Sequence, residues 1–115
     1  GLMLAETFYE QVDDGKGGSK EIHFRPRTGE TMYIPCLWSK WTDPKGIEPD
    51  LYSFAAITDE PEPEVAAEGH ERTVINMKPE YVDAWMDPDP NNLDAMFAIF
   101  DDKRHPYYEV IREAA

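Results

Sequence analysis

Apolar and polar positions alternate through the first third of this chain, and short clusters of glycine, proline and aspartate cut the pattern into segments. Residues 6–12 (E-T-F-Y-E-Q-V) alternate as a strand and run into the turn-forming D-D-G-K-G-G of 13–18. E-I-H-F-R-P-R (21–27) predicts a second strand, T-G-E a turn, and T-M-Y-I-P-C-L-W (31–38) a third; the three are expected to form an antiparallel meander. Residues 43–50, with two prolines and a glycine, predict a loop. L-Y-S-F-A-A-I-T (51–58) is the strongest strand pattern and is apolar enough to be expected at the centre of a sheet.

The period then changes. The acidic, proline-rich run 59–64 leads into a helical turn at V-A-A-E, which ends at Gly69. T-V-I-N-M (73–77) predicts another strand. Pro79 suits a helix start, with Tyr81, Val82, Trp85 and Met86 at helical spacing. N-L-D-A-M-F-A-I-F (92–100) predicts a second short helix and Y-Y-E-V-I (107–111) a closing strand. No internal repeat is present. The predicted class is α+β: a mixed, mainly antiparallel sheet with a few short helices.

Composition supports a folded chain. With 115 residues, 41% hydrophobic and 12% aromatic, it carries too much apolar surface to stay disordered and suits a single domain. The net charge of -13 repels phosphate at long range, which argues against non-specific nucleic-acid binding through charge alone. A local groove needs only a few cations, and Arg25, Arg27 and Lys40 are candidates for a small basic strip. The single cysteine, Cys36, precludes an intrachain disulfide and points to a reducing compartment, the cytoplasm. No apolar run reaches the roughly 18 residues of a membrane span, and the N-terminus lacks a signal-peptide pattern, so no membrane partner is expected.

The chain has no P-loop, no G-x-G-x-x-G, no C-x-x-C and no H-E-x-x-H. His23, His70 and His105 lack metal-ligand spacing, so neither a metal nor another cofactor is expected. Cys36, inside I-P-C-L-W, has the setting of a small core residue. More informative is A-E-T-F-Y-E-Q (5–11), in which Glu6 and Glu10 flank Phe8 and Tyr9 near the start of the chain. His70, between Gly69 and an apolar strand, sits where a side chain can face a cleft from a fixed backbone. Should Glu10 and His70 meet, they would form an acid/base pair tuned by burial and by each other. Spacing alone leaves both as ordinary surface residues equally well.

Five motifs in order, A-E-T-F-Y-E-Q, P-C-L-W-S-K-W (35–41), S-F-A-A-I-T-D-E-P (53–61), H-E-R-T-V-I-N-M (70–77) and D-A-W-M-D-P (83–88), resemble the C-terminal half of the SOS-response-associated peptidase (SRAP) family. The corresponding family patterns are P-A-x-G-F-Y-E-W, A-G-L-W-E-x-W, S-F-x-I-I-T-T-E-A, H-x-R-M-P-V-I-L and W-L-x-P. The resemblance implies one SRAP-like domain over 1–115, the C-terminal portion, with a barrel-like sheet left incomplete because the family's first half has no counterpart here. Gln11 stands where the family has Trp, Cys36 where it has Gly, and Thr73-Val74 where it has Met-Pro.

In the intact family, by this resemblance, a cysteine at the mature N-terminus attacks an abasic site in single-stranded DNA. Its amine and thiol close a thiazolidine, leaving a DNA–protein crosslink, and self-cleavage that frees the cysteine accounts for the peptidase name. The lyase-like and peptidase activities belong to the intact form, and the nucleophile is absent from these 115 residues. Glu10 and His70 match the family's proton-transfer residues by position, and Arg72 matches an arginine that supports the site or holds a phosphate. The implied partners are single-stranded DNA with abasic sites and either a companion chain supplying the other half or a second copy. Two alternatives are a non-catalytic SRAP-like interaction domain and an acidic DNA mimic or partner-binding protein.

Overall fold

The computed structural model describes residues 1–112 and contains eight strands, three short α-helices and one 3-10 turn. In chain order these are β1 (Leu2–Ala5), β2 (Phe8–Asp13), β3 (Ser19–Pro26), β4 (Met32–Trp41), β5 (Leu51–Ala56), β6 (Thr58–Asp59), α1 (Pro63–Ala67), β7 (Thr73–Val74), a 3-10 turn (Pro79–Tyr81), α2 (Val82–Met86), α3 (Leu93–Asp101) and β8 (Tyr108–Ile111). Among the described residues every strand pairing is antiparallel, as the α+β reading anticipates, and the strands form three sheets, none closed into a barrel.

The meander is corrected. β2 and β3 do form a hairpin across the 13–18 turn, with Asp14 Oδ1 accepting from the Lys16 and Gly18 amides. β3 then pairs with the distant β8, not with β4. β4 pairs instead with β5 and with β1, a strand over 2–5 that the sequence pattern did not predict. Four residues are too few to set a period, and only their pairing with Met32–Pro35 defines them.

Two apolar clusters lie on either side of the β1–β4 pair. One gathers Val12, Ile22, Phe24, Met32, Ile34, Val65 and Tyr108. The other gathers Ile75, Met77 and Ile99, with Tyr33, Tyr81, Val82 and Trp85 against them. Adjacent residues of β4 feed opposite clusters, Met32 and Ile34 the first and Tyr33 the second, as the two-residue period of a strand requires. Pro79 opens the 3-10 turn that leads into α2, and the Asn92 side chain caps α3 by accepting from the Ala95 amide at 3.3 Å. Among the described residues no helix is long and apolar enough to cross a membrane.

The greatest departure from the sequence pattern concerns β5. Expected at a sheet centre, it is an edge strand whose residues 51–55 are all exposed.

Candidate functional site

Glu10 lies on the inward face of β2, between Phe8 and Val12 and opposite Ile22 of β3. Phe8 stacks on Phe24 with ring centroids 5.2 Å apart and meets Tyr108 edge-on at 5.0 Å. Tyr9 points the other way, exposed, and stacks on His23. Thus alternation places Glu10, and not its neighbours, against the apolar wall. The strand begins at Phe8; Glu6 precedes it as an exposed residue.

His70 reaches Glu10 from the other side. Val65, fully buried in the first cluster, anchors α1 beside β8, and the Arg112–Glu68 ion pair at 3.0 Å ties the helix end to that strand. Gly69 follows with φ +99°, a left-handed conformation that a side chain opposes, and turns the chain so that His70 Nε2 lies 3.1 Å from Glu10 Oε2. Both side chains are mostly buried at the contact, 16% exposed for His70 and 21% for Glu10.

The loop carrying His70 is clamped at both ends. The Glu62 amide donates to Thr73 Oγ1 at 2.9 Å, and Thr73 starts β7, which pairs with β6. Arg72 donates from Nε to Thr58 Oγ1 at 3.0 Å and from a terminal nitrogen to the Thr58 carbonyl at 2.6 Å. The ring is oriented by the backbone of Arg72: His70 Nδ1 lies 2.7 Å from the Arg72 carbonyl oxygen and 3.2 Å from the Arg72 amide nitrogen. These two contacts ask for opposite tautomers. The shorter one, to an obligate acceptor, assigns the proton to Nδ1 and leaves Nε2 facing Glu10.

Electrostatics follow from this packing. Removal of water by the surrounding apolar groups pushes the Glu10 carboxyl above its ordinary range; His70 pulls it down, and the nearby carboxylate of Glu71 pushes it up again. The pair can therefore exist as a neutral acid donating to Nε2 or as a carboxylate accepting from an imidazolium, two forms with the same proton count that differ only in which partner holds the shared proton. Such an arrangement can pass a proton between acid and imidazole.

Of the residues singled out by sequence, the fold brings Glu10, His70 and Arg72 together in this way. Cys36 is 6% exposed on β4. The basic strip does not form: Arg25 pairs with Glu109 across β3–β8, while Lys40 pairs with Asp50 on a different sheet at 3.2 Å. Thr58 and Glu71 were not singled out, because the role of each is a contact across the fold and leaves no pattern in the sequence. The pair does not line either of two hollows in the surface, one of 440 Å³ along β3 and β8, the other an apolar groove of 590 Å³ between β4 and α2–α3.

The sequence profile of the SOS response associated peptidase (SRAP) family matches residues 1–114, and the chain belongs to that family. Two crystal structures resemble it in fold. A protein from Bacteroides thetaiotaomicron superposes with a TM-score of 0.66 at 14% identity, over 96% of this chain and 48% of that one. A protein from Bordetella bronchiseptica gives 0.61 at 16%, over 97% and 54%. This chain thus spans about half the length of either. No curated protein matches it significantly.

Proposed function

We propose that this chain is the acid/base half of an SRAP-type centre that captures abasic sites in single-stranded DNA as a thiazolidine crosslink, acting in the reducing cytoplasm. The observation that carries the reading is the 3.1 Å contact between Glu10 and His70, the two residues whose motifs match the family's proton-transfer positions. Membership of the SRAP family supports it. In this reading residues 1–115 form the C-terminal portion of the domain, and the nucleophilic cysteine is supplied by the other half.

The chemistry suits the pair. Attack of an amine on the sugar aldehyde gives a carbinolamine, and loss of water from it requires a proton on the departing oxygen. Closure of the ring then adds the thiol sulfur to the imine carbon as the thiol proton leaves and the imine nitrogen gains one. A carboxyl raised by burial and coupled to an imidazole can serve both directions. Arg72, engaged with Thr58, acts in this scheme by fixing His70. Peptidase activity, by the same logic, would draw on the same pair.

The test is a denaturing gel of single-stranded DNA bearing one abasic site, incubated with this chain alone and with this chain plus the cysteine-initiated first half of an SRAP protein. A shifted band is expected only with both, and Glu10→Gln should slow its formation by about 100-fold or more, the scale of a lost general acid–base group. No band in either mixture would sink the proposal and leave a non-catalytic interaction domain as the better reading.

A further inference from the structure

The acidic run 59–64 is pinned at two of its carboxylates by one cation, Lys103. The ammonium lies 3.0 Å from Asp59 Oδ2 and 4.0 Å from Glu62 Oε1, and the lysine side chain is 16% exposed. The backbone beneath it is fixed as well. The Lys103 amide donates to the Phe100 carbonyl at the end of α3, and the Arg104 amide donates to the Asn76 carbonyl at 2.8 Å.

The two acids are the anchors of the loop that carries His70. Asp59 ends β6, directly after Thr58, the residue gripped by Arg72. Its Oδ1 accepts from the Glu60 amide at 2.8 Å, which leaves Oδ2 to Lys103. Glu62 caps α1: its carbonyl accepts from the Val65 and Ala66 amides, and its amide donates to Thr73 Oγ1. The Asp59 carboxyl is held below its ordinary range, first by the Glu60 amide and next by Lys103, and the Arg72 charge adds to the effect. Asp59 thus answers both to Lys103 and to the arginine whose carbonyl orients His70.

Burial separates this contact from an ordinary surface pair. Exposed ion pairs contribute little, because water and salt screen them. Here Lys103 and Glu62, the latter 12% exposed, are mostly withdrawn from water. Without the ammonium, the two carboxylates at the start of the loop would lose the cation they share, leaving Glu62 with His105 at 3.0 Å.

We propose that Lys103 is a positioning residue for the Glu10–His70 pair: by holding Asp59 and Glu62 together it keeps the loop closed and His70 Nε2 seated on Glu10. Among the described residues no hydrogen bond or ion pair joins Lys103 to either member of the pair, so it acts through Thr58, Arg72 and Thr73. The inference rests on the acid/base reading of that pair for the use to which the geometry is put.

The test is made on the 115-residue chain without DNA. Lys103→Met keeps a stem of similar size and removes the charge, whereas Lys103→Arg keeps the charge. Lys40→Met, which breaks the Lys40–Asp50 pair on β4–β5, reports what loss of an ion pair does elsewhere. In Lys103→Met the His70 ring-nitrogen shifts should move toward an average of the two tautomers. The His70 and Arg72 amides should exchange about tenfold faster while those of the β2–β3 hairpin hold. Lys103→Arg should keep the parental values, and Lys40→Met should change neither. Asp59→Asn cuts the same link from the other side, and adding it to Lys103→Met should disturb the ring little more than either alone.

The inference falls if the His70 shifts stay parental in Lys103→Met, if Lys40→Met moves them equally, if Lys103→Arg behaves as Lys103→Met does, or if the two substitutions at the link add. It also falls if Lys103→Met and Asp59→Asn both fail to fold, since the link would then hold the whole fold and not the site. In the crosslinking mixture with a cysteine-initiated first half, Lys103→Met should slow the crosslink about tenfold and Lys103→Arg should keep it. No crosslink with the parent chain would count against the acid/base reading alone, and a parental rate in Lys103→Met against the present inference alone.

Discussion

Arg72 holds Thr58 with two hydrogen bonds from its side chain, at 3.0 and 2.6 Å, while its carbonyl accepts from His70 Nδ1 at 2.7 Å. One residue thus fixes the loop with its guanidinium and the imidazole with its backbone. Arg72→Lys keeps the charge but loses the planar fork. It should leave the fold intact and mix the His70 tautomers, read from ring nitrogen shifts, whereas Thr58→Val, which removes only the hydroxyl, should cost about 1 kcal/mol and disturb the ring less. An unchanged tautomer in Arg72→Lys would show that the guanidinium does not set the ring.

The Glu10 carboxyl is raised chiefly by burial, lowered by His70 and raised by Glu71. Two single substitutions should therefore move its titration in opposite directions. His70→Gln removes the lowering influence and should raise the pKa further; Glu71→Gln removes a repelling charge and should lower it. Carbon NMR of the Glu10 carboxyl distinguishes these outcomes, and shifts of the same sign would contradict the arrangement.

A raised carboxyl pKa also ties stability to pH. The folded state holds the Glu10 proton more tightly than the unfolded chain does. Its contribution to stability is fully present below the ordinary value of 4.5 and is lost as pH rises through the raised folded value. Glu10→Gln, which cannot ionise, should match the parent at pH 4 in urea unfolding and gain relative to it as pH climbs toward 7. A variant that instead loses ground with rising pH would mean that the ion pair with His70 outweighs burial.

Two positions aim His70 through its backbone: Gly69 precedes it, and the Val65 carbonyl accepts from its amide at 3.4 Å. Gly69→Ala places a side chain at φ +99° and should cost about 1–2 kcal/mol through backbone strain. Val65→Ala deletes fully buried methyl groups under α1 and should cost about 2 kcal/mol. In both, the exchange protection of the His70 loop should fall before that of the β2–β3 hairpin. Equal loss across the molecule would mean that the α1 segment is not a separable clamp.

Alternation around Phe8 and Val12 marked Glu10 as a residue beside an apolar wall, and Gly69 marked the turn that presents His70. The hairpin, the turn at 13–18 and the two C-terminal helices were likewise legible, because each is set by neighbours within a few residues. The partners of β3 and β4 were not: pairing with β8 and β1 joins segments far apart in the chain, and local periodicity contains no term for which distant edge a strand meets.

Local chemistry along the sequence determined which segments extend or coil, that the chain folds, and which acid and imidazole were worth pairing. Tertiary structure decided that they do pair, at 3.1 Å, through a loop held by Thr58 and Thr73. It also decided that β5, expected at a sheet centre, lies at an edge. The physical reason is the same in both cases: distance and burial are properties of packing between segments, and a linear pattern specifies what each segment prefers without specifying what lies against it.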